Sequence, residues 1–310
     1  MRCRSIRRKF IPSTVAVAIV AAASLIGNPS WAQPPRETAI ATPSVQVSHD
    51  EPPAAPTGQS SRELRTAAIA AIPTSRLTPA AKQRIHSIVE RPTLFRHLPT
   101  QSIDCDPELF LCIARQPELL VGIWEVMGIT QVQTERLDEY RLLARDGSGT
   151  TCTVDLVYGD RNTHIFVADG FYDGKLVASK LTGKGVFVLR TKYETRETGL
   201  VVVAGTLDCF VHLDNLGADL IARTFGPLIG KTADNNFAET AKFIGQIGLT
   251  ARQNPEGLQD LGMRLPQVNQ DTRRKFVDVV GDVDRRNQAR MESRALTRSA
   301  DRTDPILTVR

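Results

Sequence analysis

The 310-residue chain contains no G-x-S-x-G elbow, no H-E-x-x-H pair and no phosphate-binding glycine loop. Their absence removes the usual signatures of serine hydrolases, zinc peptidases and nucleotide-binding folds. C-x-x-C is also missing, and no histidine lies within a few residues of Cys105, Cys112 or Cys152; His212 alone follows Cys209 closely. Zinc sites need tightly spaced ligand sets, so buried or disulfide-bonded cysteine outweighs a metal centre. Aromatic residues make up only 5% of the chain. With no aromatic platform and no arginine stripe, the sequence lacks the footprint of a nucleic-acid binder. No internal repeat is visible, and the sequence assigns neither a cofactor nor a catalytic residue.

The formal charge of +5 is equally uninformative. Arg2, Arg4, Arg7, Arg8 and Lys9 precede the uncharged run from Ser13 to Gly27, and Ser30-Trp31-Ala32 follows. This reads as a secretory signal peptide over residues 1–32, cut near Ala32, with export to the periplasm or the outside. The alternative, an uncleaved anchor, is disfavoured because a spanning helix needs roughly 20 apolar residues. Those five basic residues account for the whole net charge, leaving the remainder near neutrality. Cys3 belongs to the same leader. The four remaining cysteines, an even number in an exported chain, permit two disulfides, and sequence does not choose among the pairings.

Residues 33–61 are rich in Pro, Ala, Thr and Ser and bury too little apolar surface to offset chain entropy, so they read as a disordered linker. From 62 to 92 the apolar spacing becomes helical, and Thr78-Pro79 supplies an N-cap with proline behind it. Phe95 to Asp104 has strand composition broken at Pro99. Asp106-Pro107-Glu108 then starts a helix that Pro117 divides in two.

Beyond Thr130 the period falls to two. Cys152, Val154, Leu156 and Tyr158 alternate with Thr151, Thr153, Asp155 and Val157, and Gly159 to Asn162 turns into His164 to Ala168. Asp173-Gly174 marks a hairpin into Leu176 to Leu181, Gly183-Lys184-Gly185 a turn into Val186 to Tyr193, and Glu197-Thr198-Gly199 a turn into Leu200 to Leu213. Strands this close together argue an antiparallel meander. After Gly226-Pro227 an apolar stripe through Leu228, Ile229, Ala233, Phe237, Ala241, Ile244 and Ile247 argues one long helix over a sheet face. Residues 251–310 read as a mostly disordered polar tail. Its last part, from Arg285, holds seven arginines against three acidic residues, a composition suited to contact with acidic lipid headgroups.

The fold class expected from this order is α+β: a curved antiparallel sheet wrapped around a long C-terminal helix, occupying 93–250. The order resembles the helix-grip proteins of the START-like, or SRPBCC, superfamily over about Leu94 to Ile247. The resemblance is carried by the last strand Gly205 to His212, the approach Phe225-Gly226-Pro227-Leu228-Ile229-Gly230-Lys231, and the helix through Phe237 and Ile244. It implies an apolar cavity holding a lipid or other hydrophobic small molecule, with Trp124, Tyr158, Phe187, Phe210, Phe237 and Ile244 as candidate walls; each is also an ordinary core side chain. Two alternatives remain. A cyclase- or hydrolase-type enzyme on the same fold would need an inward acid–base pair such as His164 with Asp169. An envelope interaction module would have its cavity filled by side chains. Asp155 and Arg190 invite a buried ion pair, although strand parity puts Asp155 on the outer face. The histidines His97, His164 and His212 have no neighbouring nucleophile and read as structural.

Overall fold

A computed structural model describes residues 57–174, 180–197, 199–214 and 226–301. The expected signal peptide, most of the expected linker, Phe225 and residues 302–310 lie outside the described residues. The chain enters through α1 (Arg62–Ala70), whose N-cap Ser61 accepts from the Leu64 amide, and α2 (Pro79–Val89), capped by Thr78 with Pro79 in the first turn. Strand β1 (Leu94–Ile103) follows, and its register shifts between Leu98 and Gln101 at Pro99, which has no amide to offer a ladder. Asp106 accepts from the amides of Glu108 and Leu109 to start α3 (Pro107–Arg115), and Pro117 opens α4 (Pro117–Val126).

Six strands then meander: β2 (Gln133–Arg136), β3 (Arg141–Arg145), β4 (Thr150–Gly159), β5 (Thr163–Tyr172), β6 (Leu181–Thr195) and β7 (Val201–Leu213). With β1 beside β7 they form one antiparallel seven-stranded sheet, ordered β1-β7-β6-β5-β4-β3-β2. Helix α5 (Gly226–Gln253) lies against one face, followed by α6 (Pro255–Met263) and α7 (Gln270–Asp301). This is the helix-grip arrangement.

Both sheet faces are buried. On the inner face Val154, Phe166, Phe187 and Cys209 share a core with α3, α4 and the α5 residues Phe237, Ala241, Ile244 and Ile247. On the outer face Ile165, Val167, Val186, Val188 and Phe210 pack beneath α1 and α2 against Ala68, Ile72, Ile85 and Ile88.

Several expectations are corrected. The Gly183-Lys184-Gly185 segment is no turn: β6 runs through it, because Gly183 pairs with both Gly170 and Leu213 inside the ladder. Residues 251–301 are not a tail. Leu258, Leu265, Phe276, Val280 and Val283 are buried in the same core as α5, and Arg286 of the basic segment pairs with Asp106 at 2.9 Å. The end of the expected linker is also ordered, since Gln59 forms a β-bridge to His97. Among the described residues no disulfide forms: Cys105, Cys112, Cys152 and Cys209 are all buried thiols.

Phe276 is fully buried, so Phe276→Ala should cost about 3–5 kcal/mol of unfolding free energy in denaturant titration. A solvated tail would leave the midpoint unchanged.

Candidate functional site

Between the inner sheet face and α5, described side chains pack into a common core. Trp124, Phe187, Phe237 and Ile244 meet in one buried cluster, with the Trp124 and Phe243 ring centroids 5.8 Å apart. The other two candidate wall residues are elsewhere. Phe210 is next in sequence to the inward Cys209 and so faces outward, stacking at 4.9 Å on Phe95. Tyr158 follows a β-bulge between Leu156 and Tyr158 that reverses its face. Its hydroxyl donates to Asp160 Oδ2 at 2.6 Å, and the Arg76 guanidinium lies 5.4 Å above its ring.

A recess lies on the inner face where β5, β6 and β7 run side by side. Thr150, Tyr172, Leu181, Phe187, Val211 and Leu213 line it, with Gly170, Gly183 and Gly185 in the strands themselves. Its described volume is about 20 Å³, room for a single water. The connections that continue from its lining strands, 175–179 and 215–225, lie outside the described residues. A Cβ on Gly185 would sit 2.7 Å from the Phe187 ring, and one on Gly183 would sit 2.7 Å from Leu213 Cδ2. Glycine inside a strand costs stability and marks close approach; here it lets Phe187 and Leu213 lie flat on the strand.

Among the described residues the charged groups assemble no acid–base pair at this recess. His164 is on the inner face and fully buried, its Nε2 accepting from Arg115 Nε at 3.0 Å while Nδ1 has no partner among the described residues. Burial, then the Arg115 charge, push its pKa down to about 4, so the ring is neutral near pH 7. Asp169 lies five positions on, hence on the outer face, where it pairs with Arg84 at 2.7 Å. The His164–Asp169 pair is therefore not assembled. Asp155 is outward, as strand parity indicates, yet α2 covers it. Burial raises its pKa, but hydrogen bonds from Arg141 and Arg84, both at 2.6 Å, outweigh that and leave it lowered. Arg190 pairs with Asp208 rather than with Asp155, and His97 Nδ1 holds the other Asp208 oxygen at 2.6 Å. His212 Nδ1 lies 3.0 Å from the Arg91 carbonyl. Glu118 of α4 and Arg136 of β2 form a further ion pair that joins these two elements.

Burial pushes the Cys112 and Cys152 thiols up to about 12, and raises Cys105 and Cys209 as well. None is a thiolate near neutral pH. Among the described residues no cluster of His, Cys, Asp and Glu could hold a metal ion.

No protein-family model matches the chain, and no curated protein sequence does. Solved structures similar to it include the crystal structure of Ara h 8.0201, at 10% identity over 46% of this chain and 96% of that one, with a TM-score of 0.26. Dicamba monooxygenase with non-heme iron and dicamba aligns at 13% identity over 66% of this chain and 61% of that one, TM-score 0.30. The di-domain ARO/CYC BexL aligns at 16% identity over 60% and 55%, TM-score 0.25. The chain thus spans little more than half of the last two. At these scores the likenesses carry no argument about residues or ligands, and the fold stands on its own topology.

The His164 shift gives a pH dependence with a definite sign. Its folded value of about 4 lies below the ordinary 6.5, so the fold favours the neutral ring. That contribution is complete above pH 6.5 and is lost as the pH falls toward 4, amounting to about 3 kcal/mol. His164→Gln keeps an acceptor for Arg115 without a titrating ring. Its unfolding free energy should fall less steeply over this window than that of the unsubstituted chain; superimposable pH profiles would contradict the assignment.

Proposed function

We propose that the chain is an exported START-like binding module that holds a hydrophobic small molecule or lipid at the end of the grip, without covalent chemistry and without a cofactor. The observation that supports this reading is the apolar recess floored by in-strand Gly183 and Gly185 and walled by Tyr172, Leu181, Val211 and Leu213, which a ligand enters only as its walls part, since the described space of about 20 Å³ admits no more than a water. Apolar surface entering it gains on the order of 25 cal/mol per Å² before ordering costs. The leader over 1–32 supports export, which would put the ligand in the cell envelope. The arginines of the C-terminal segment offer a contact for acidic membrane surfaces.

A second reading, an envelope interaction module with a filled interior, is favoured by the volume of about 20 Å³ against the roughly 300 Å³ of ordinary ligand pockets. The cyclase- or hydrolase-type reading has no such support, because His164 and Asp169 face opposite sides of the sheet.

Native mass spectrometry of protein purified from an exporting host, followed by organic extraction, separates the two. The binding reading expects a co-purifying hydrophobe that solvent removes and mixing restores. It also expects that hydrophobe to be missing from Gly183→Leu, whose side chain occupies the recess, while the circular dichroism is retained. A clean apo mass that does not change on challenge with a membrane extract would move the assignment to the interaction module.

A further inference from the structure

The N-terminal end of α5 is not held to the sheet by apolar packing alone. Arg96, on the edge strand β1, donates from Nε to Asp234 Oδ1 at 2.7 Å and from Nη2 to Oδ2 at 2.5 Å, a bidentate pair between β1 and α5. A third element joins it. Residues 57–60, ahead of α1, lie along the free edge of β1: the Gln59 amide donates to the His97 carbonyl at 2.9 Å and the His97 amide donates to Gln59 at 2.7 Å. One residue earlier, the Gly58 amide donates to Asp234 Oδ2 at 2.9 Å.

The fit is tight on both sides of the guanidinium. A Cβ on Gly58 would lie 2.5 Å from Asp234 Oδ1, 2.9 Å from Arg96 Nε and 2.9 Å from the His97 carbonyl oxygen. A Cβ on Gly230, in the first turns of α5, would lie 2.7 Å from Arg96 Nη1. Arg96 is thus sandwiched between two glycines, one on the strap and one on the helix. Asp234 is 9% exposed, and removing one partner from a mostly buried carboxylate costs more than breaking an exposed pair would.

We propose that residues 57–60 are a latch that fastens the N-terminal turns of α5 to the β1 edge through Asp234 and Arg96, and that releasing the strap frees that end of the grip. Residues before 57 are covalently joined to this strap, so a force applied through them acts on the latch first. Only the role of the latch as a route for ligand entry rests on the binding reading above; the latch itself does not.

The test needs no ligand. Amide hydrogen exchange is compared between the full chain and two variants, Gly58→Val, which crowds the guanidinium, and Gln59→Pro, which removes the donor to His97. Both should expose the His97 amide and speed exchange across residues 231–237 about tenfold, the scale of one net hydrogen bond, with residues 277–283 of α7 unchanged. Acceleration at His97 with 231–237 still protected would reduce the strap to an edge cover and overturn the proposal. So would equal acceleration everywhere, which signals general destabilisation, or no change at either segment.

Discussion

The constraint on which the molecule depends is that its sheet is buried on both faces. Alternation along each strand sends one set of side chains beneath α5 and the other beneath α1 and α2. A polar residue therefore has no solvent face near the middle of the sheet on which to rest. The charges there are accordingly paired across elements: Asp155 and Asp169 to Arg84 of α2, Asp208 to His97 and Arg190, Asp234 to Arg96. Buried carboxylates without such partners would be costly, and the pairs tie the covering helices to defined strands.

The consequence for function is a grip with a closed middle and a recess at one end. Trp124, Phe187 and Ile244 complete the core instead of bordering a space. At the recess the β6 glycines carry no side chain, and Phe187 and Leu213 lie close against them. His164 fits the same pattern: buried, neutral and fixed by Arg115, it belongs to the packing of the β5 end rather than to a reactive centre. The N-terminal end of α5 depends on charged contacts with an edge strand and on a strap.

Most of the fold was legible in the sequence because its devices are local. Thr78, Asp106 and Pro117 act within one turn of their own position, and the two-residue period of β4, β5 and β7 declares itself over a few residues. What stayed illegible depends on partners distant in sequence. Gly183 and Gly185 look like a turn until Gly170 and Leu213 are seen to pair with the same stretch. Tyr158 obeys the β4 alternation on paper, and a bulge reverses it. The sparse apolar residues of 255–285 look insufficient for a core, yet Phe276, Val280 and Val283 reach one already built by α3 and α5. Of the six candidate wall residues, four meet at the inner face and two serve the outer layer, a division set by parity and one bulge.

The claim that binding is confined to the end of the grip is tested most directly by titrating a medium-chain alcohol, 1-decanol, into methyl-labelled protein and mapping the shifts. The account predicts saturable shifts at Leu181, Val211 and Leu213, with the Ile244 and Leu120 methyls unmoved. Shifts centred on Ile244 and Leu120, or none at the recess, would contradict it.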